Sequence, residues 1–462
     1  KMTQYINTNK QIWNPVYEAT VGNRDESEYL DVTNNFSLEW SIVQGLRLRA
    51  NFSYGEKKEQ VETFISPESL QYESYELSSG EGLLNKGEGY HGTSNTYSMD
   101  FNSVLTYYLG VGKHFINTAL GVNLTESGSR SVNFDVRGYP SKMMDYISLA
   151  KEFTNTHPGG SEGKTRLAGF FANVNYSYAN RYLLDLSARL DGSSMYGSES
   201  KFSPFWAVGL GWNIHHEKFM ENTGISRLKI RGSIGTTGKA SFQPYQSQTM
   251  FEYIQDGWYA TGIGATLMAL GNPNLKWEET RQFNVELDLS FLDNRIGING
   301  TLYLKKTEDC FTTVQVSSVN GVPGHSYVMN GGNLENNGYS VGLSGIPVKT
   351  RDWQWNLYTY FSGNLNKVRS QTVEKYTIDS YLNGTALVDG EAVSSFYSYR
   401  FLGLNPANGI PVFNDYADRM HLLEDRELED IVLMTMEKSG QRDPIFTGSL
   451  STSLTYKSLS LS

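Results

Sequence analysis

From Phe283 to Lys306 the chain reads FNVELDLSFLDNRIGINGTLYLKK: two runs that are apolar at every second residue, with a short polar break between them. A side-chain period of two belongs to extended strands with unlike faces. Runs of this kind recur at 31–40, 46–54, 97–109, 115–124, 167–178, 182–190, 202–214 and 228–234, then at 334–346, 353–365, 448–456 and 459–462. With the opening pair they predict about fourteen strands. The connections between them alternate in length. Short ones fall near 41–45, 110–114, 179–181, 292–295 and 347–352; long ones cover about 61–95, 125–164, 237–276, 310–333 and 368–445. The link from His215 to Arg227 is longer than the other short ones. Strand parity puts every long loop on one side. A soluble sandwich has no reason to do this, whereas an up-and-down barrel in an outer membrane has periplasmic turns and long external loops.

No run of 18 apolar residues occurs, so a transmembrane helix is excluded, but a membrane β-barrel passes that test unseen. In hydrocarbon every backbone amide must be paired within a closed sheet, which gives the alternation a cause. Phe283, Val285, Leu287, Leu289 and Phe291 are expected to face lipid, and Asn284, Glu286, Asp288 and Ser290 a wet lumen. Nine residues at about 3.3 Å each span roughly 30 Å, enough for a tilted crossing. The chain holds 30 Tyr, 22 Phe and 8 Trp. Trp40, Tyr178, Tyr182, Trp212, Trp353 and Trp355 sit near strand ends, as interfacial girdles do, although Tyr and Trp are also good strand formers. A net charge of -10 argues against a nucleic-acid partner. Cys310 is the only cysteine, which excludes an internal disulfide and a thiolate metal cluster.

Motifs of chemistry are weak. Gly110-Val111-Gly112-Lys113 lacks the first glycine and the following Ser or Thr of a phosphate loop, and reads as a tight turn. His215-His216 lacks metal-site spacing. The acidic run at 424–430 lacks calcium-loop spacing and reads as the solvated side of a short helix. Glu286 and Asp288 share a strand face, but a hydrated wall explains them without catalysis. No catalytic residue, metal ligand or cofactor is expected.

Several strings carry a more specific signal. NPNLKWE (272–278), FLDNR (291–295) and YLKKT (303–307) stand in this order, with LDGSS (190–194) leading to Phe219-Met220 before them, and NLENNG (333–338) and SFYSYRFLGL (395–404) after them. The chain thereby resembles the SusC/RagA branch of TonB-dependent outer-membrane transporters over nearly its whole length. PIFTGS (444–449) departs from the family's PxxxGG by one glycine. The resemblance implies an all-β, antiparallel barrel of about 22 strands filled by a plug. Residues 1–462 are then expected to be a partial barrel domain of about fourteen strands, part of a longer chain. The opening KMTQYINTNK shows no leader pattern.

The resemblance further implies TonB-energised import of oligosaccharides or peptides across the outer membrane of a Bacteroidetes-type bacterium. A SusD-like surface lipoprotein would act as lid, and the plug, expected to lie outside these residues, would contact TonB. Rim aromatics, among them Tyr72, Tyr75, Tyr90 and Tyr416 and foremost Tyr253, Trp258, Tyr259 and Tyr381, suit sugar rings and peptide side chains alike, or loop packing. A passive porin and a soluble secreted glycan-binding β-protein are the alternatives.

Overall fold

The computed structural model describes residues 5–7, 10–12, 15–72, 80–155, 157–197, 200–239, 244–371, 376–414 and 435–462. Among these, the strands of one large sheet are β1 (Arg24–Val43), β2 (Leu46–Ile65), β3 (Glu88–Val111), β4 (His114–Arg137), β5 (Gly159–Tyr178), β6 (Tyr182–Ser193) and β7 (Phe202–Asn213). They continue as β8 (Ile225–Lys239), β9 (Glu278–Phe291), β10 (Ile296–Gln315), β11 (Ser326–Lys349), β12 (Trp353–Gln371), β13 (Phe446–Tyr456) and β14 (Leu459–Leu461). Each hydrogen-bonds to its neighbours in sequence order, and the two-residue strand Glu152–Phe153 pairs with β4. The fold is thus the all-β meander that the alternation predicts.

Strands run further than the apolar pattern suggests. The loop expected over 310–333 shrinks to 316–325, that over 125–164 to 138–158, and that over 61–95 to 66–87. Thr125–Ser131, for example, continues β4 with polar residues on both faces. Apolar alternation marks only the part of a strand with one greasy face, so polar extensions read as loop.

The chain divides into two compact units. The first comprises Lys1–Trp40, Leu48–Ser103 and Val122–Ala168. Its small core is Phe64, Val136 and Tyr139, with Tyr139 edge-on to Phe64 at 5.0 Å. A helical turn at Pro15–Glu18 is tied in by its last residue: Glu18 accepts hydrogen bonds from Ser69 Oγ at 2.9 Å, Leu70 N at 2.8 Å and Asn23 Nδ2 at 2.9 Å.

The second unit comprises Ser41–Arg47, Val104–Gly121 and Gly169–Ser462. It holds the short turns. Reversal in so few residues requires left-handed backbone, found at Asn180 (φ 54), Asp293 (φ 55) and Asn294 (φ 62), residue types that tolerate it. Gly45 (φ 85) meets a second demand, because a Cβ there would lie 2.4 Å from the Tyr108 carbonyl oxygen.

The NPNLKWE string proves to be a clamp. Leu275 is fully buried with Met195 and Tyr196, and Trp277 stacks on Tyr196 at 4.4 Å. Asn272 Nδ2 donates to the Val328 carbonyl at 3.0 Å, while its Oδ1 accepts from Asn274 N at 3.0 Å. Asn330 exchanges two hydrogen bonds with the Lys276 backbone, and Lys276 pairs with Asp309 at 2.8 Å. The 193–197 segment, the 272–278 turn and the start of β11 are thereby held together.

Candidate transport wall and outer rim

Register sorts the side chains of the second unit onto two faces, because residues opposite each other in an antiparallel pair share a face. Leu287 of β9 lies between Ile230 of β8 and Gly300 of β10; Leu289 lies between Leu228 and Ile298; Val285 faces Leu302 and Phe283 faces Ile234 and Leu304. The row continues through Val341 and Leu343 of β11 to Phe361 of β12 and Leu450 of β13. On the other face Asn284 lies opposite Ser233 and Tyr303, Glu286 opposite Arg231 and Thr301, and Asp288 opposite Lys229 and Asn299. That row continues through Ser340 and Ser344 to Tyr358, Tyr360, Ser362, Ser449 and Ser451. One face is apolar over six strands and the other polar, so Phe283, Val285, Leu287, Leu289 and Phe291 share one face and Asn284, Glu286 and Asp288 the other.

The polar face is chemically uneven. On β8 and β9, Arg231 bridges Glu286 and Asp288, and Arg227 approaches Asp288 at 3.6 Å. These pairs are half exposed and add little stability. From β10 to β13 the face is mostly uncharged, with Lys305 Nζ over the Tyr303 ring at 5.1 Å: Tyr303 donates to Asn364 Oδ1 at 3.0 Å, and Ser362 and Thr447 share a hydrogen bond of 2.6 Å. Tyr303 lies flat across Gly338, where a Cβ would come within 2.3 Å of its ring end. Sequence reading had both partners of the Arg231–Glu286 contact on strands but no means to align them.

Aromatic residues collect at the short-turn ends of the apolar face. Tyr178, Tyr182 and Trp212 stack in a row at 6.4 Å spacing, and Trp353 meets Tyr456 at 4.4 Å. The connection 214–224 reaches this row through Glu217, which accepts from Tyr182 OH at 2.9 Å and Trp212 Nε1 at 3.1 Å and pairs with Arg181 at 3.2 Å. Those hydrogen bonds, Tyr182 first, and the Arg181 charge hold its carboxyl below the ordinary 4.5. A depressed carboxylate contributes stability that is full above its unfolded value and lost as pH falls through the folded one. Acidification below pH 4.5 is therefore expected to release Trp212 and shift its fluorescence, and Glu217→Gln should abolish that pH response.

The outer rim separates the expected aromatics. Tyr253 and Tyr259 stand on a separate hairpin, Met250–Tyr259 with Gly262–Ala269, and are 72% and 63% exposed. Trp258 pairs with Ile263 on the same hairpin; its side chain lies outside the described part. Tyr381 does not belong with them. It is fully buried at the end of a short helix (Ile378–Leu382) in a core with Ala386, Val388, Tyr397 and Met436, so it supports the longest loop and cannot touch a ligand. Tyr72 is likewise buried, while Tyr90 is 37% exposed. Tyr75, Tyr416 and the acidic run at 424–430 lie outside the described residues. Tyr253→Ala and Tyr259→Ala are expected to leave thermal stability within about 0.5 kcal/mol of the parent, as surface changes do, and to weaken ligand or lid binding.

Residues 3–416 match the family model described as TonB dependent receptor-like, beta-barrel. The chain belongs to this family. It is 28% identical over 411 residues to TonB-dependent receptor P3 of Formosa agariphila, covering 86% of this chain and 39% of the relative. To TonB-dependent receptor SusC of Bacteroides thetaiotaomicron it is 26% identical over 437 residues, covering 88% and 40%. In fold it matches the RagAB peptide transporter with a TM-score of 0.80 at 21% identity, over 99% of this chain and 49% of that one. The chain thus spans about two fifths of the length of these curated relatives.

The chain is thus a TonB-dependent receptor-like β-barrel by family, and in sequence and fold it is similar to SusC and the RagAB peptide transporter. The weak motifs fit that class. Gly112-Lys113 forms the β3–β4 turn, with Gly112 at φ 59. His215 and His216 hydrogen-bond through Nδ1 to the carbonyls of Leu228 and Asn180 at 2.9 and 3.0 Å. No cluster of three or more potential metal-binding side chains occurs among the described residues.

Proposed function

We propose that this chain forms wall and outer rim of a TonB-energised importer of oligosaccharides or peptides that works with a SusD-like surface lipoprotein as lid. The observation that carries the reading is the sheet with one apolar and one polar face, whose long connections all leave from the same strand ends. In this reading Phe283, Val285, Leu287, Leu289 and Phe291 meet lipid, and Asn284, Glu286 and Asp288 line a hydrated lumen. Tyr253, Trp258 and Tyr259 meet cargo or lid at the outer mouth. The relatives' names, SusC and the RagAB peptide transporter, support a two-part uptake system and leave both cargo classes open. Energy would enter through a plug contacting TonB, as the family resemblance implies.

The test is uptake of labelled oligosaccharides and peptides by cells with the full-length gene deleted and restored, with and without TonB. Uptake that needs the gene, TonB and a co-purifying lipoprotein is expected. Uptake that needs the gene but survives loss of TonB would mean a passive porin.

A further inference from the structure

In the first unit the segment after β4 folds back beside the strands and encloses a cavity of about 620 Å³. Its floor is aromatic. Phe64 and Tyr139 are 2% and 5% exposed, and Phe134 lies beside the His91 ring at 6.2 Å. Its rim is polar and joined across distant parts of the chain. Arg24 Nη1 donates to Asp145 Oδ2 at 2.7 Å and Arg24 Nη2 to Glu62 Oε2 at 3.3 Å; His91 Nδ1 lies 3.1 Å from Glu62 Oε1. Tyr146, 75% exposed, stands at the mouth.

Along the strands of this unit the cavity shares a face with Phe36 and Phe52, which stack on each other: Arg24 and Glu62 lie an even number of residues along β1 and β2 from that pair. The ten strand residues from Phe52 to Glu62 correspond to about 33 Å, so the cavity lies far along the same face from that pair. Nothing in the transport reading uses it.

Its chemistry selects a ligand class. One guanidinium faces two carboxylates, with Glu26 a further 3.6 Å contact to Arg24, so the rim carries excess negative charge and repels phosphates and acids. Asp145 keeps lone pairs free for hydroxyl donors and Glu62, which also accepts from Gln60 Nε2 at 2.8 Å, keeps one, while Arg24 and His91 offer donors of their own. A ligand must therefore present an uncharged edge that both donates and accepts, and a flat apolar face for the aromatic floor and Tyr146. Sugar rings have both. We infer that this cavity is a carbohydrate-binding site distinct from the wall and rim residues of the proposed transport reading. The ring can come from a free oligosaccharide or from the sugar headgroup of an outer-membrane glycolipid.

The full-length protein is applied in one arm to an array of neutral oligosaccharides and in the other to lipopolysaccharide purified from the same bacterium. The wild type is expected to bind in at least one arm. Tyr146→Ala, at an exposed position, and Glu62→Gln should each weaken that binding by about tenfold or more. Binding confined to the oligosaccharide arm identifies a nutrient site, and binding confined to the lipopolysaccharide arm a headgroup site; either supports the inference. Wild-type binding in neither arm, or unchanged binding by both variants, overturns it. Cellular uptake by Tyr146→Ala keeps the two conclusions apart: normal uptake with lost array binding supports this site and leaves the transport reading intact.

Discussion

Leu287→Arg is expected to destabilise the full-length protein by about 2–4 kcal/mol in a bilayer, the depth-dependent cost of a cation on the lipid face of a barrel at mid-membrane. Leu287 sits in the middle of β9, flanked in register by Ile230 and Gly300, with Leu289 and Val285 two residues away on the same face. No anion lies in that row to receive the charge. The natural comparison, Glu286→Arg, would place a second cation against Arg231, which Glu286 now neutralises. Thr301→Arg is a cleaner control: it stands opposite Glu286 on the polar face, where a guanidinium gains a partner and stays hydrated. Urea unfolding in lipid vesicles should separate the two by more than about 2 kcal/mol. Equal tolerance at Leu287 and Thr301 would contradict the assignment of faces.

Leu275→Ala should cost about 2–5 kcal/mol locally, the range for truncating a fully buried leucine whose surroundings cannot collapse. Here collapse is blocked on two sides. Trp277 is wedged between Tyr196 at 4.4 Å and Phe205 at 5.7 Å, and the Pro273 carbonyl packs so closely on Gly197 that a Cβ there would fall 1.6 Å from it. The penalty should appear as faster amide exchange in 193–197 and 326–330 with little change in β12 and β13. Protection unchanged in those two segments would mean that Leu275 does not hold the clamp.

The strands were legible because alternation is local: LYLKK or FNVELDL needs no distant partner to be read as two-faced. What alternation cannot supply is register. Glu286 could be seen to share a face with Asp288, but its pairing with Arg231 depends on the β8–β9 alignment across a long intervening loop. Polar strand extensions escaped for the opposite reason, since Thr125–Ser131 has no apolar side to mark it. Tyr381 looked like any rim tyrosine. Its burial depends on Tyr397 and Met436, brought back across the longest loop, and no nearby pattern announces that core. The cavity in the first unit is the extreme case, because Arg24, Glu62, His91 and Asp145 come from four separate stretches of chain. NPNLKWE was legible as a family string while its work, holding 193–197 to β11, was not.

The central claim is that the two faces of this sheet meet lipid and water respectively. Spin labels placed one at a time at Leu287, Leu302, Asn299 and Thr301, in the full-length protein with Cys310 replaced by serine and reconstituted in bilayers, measure this directly through collision with oxygen and with a water-soluble nickel chelate. The account predicts oxygen-rich, nickel-poor surroundings at Leu287 and Leu302 and the reverse at Asn299 and Thr301. The same accessibility at all four positions, or the opposite pattern, would contradict it.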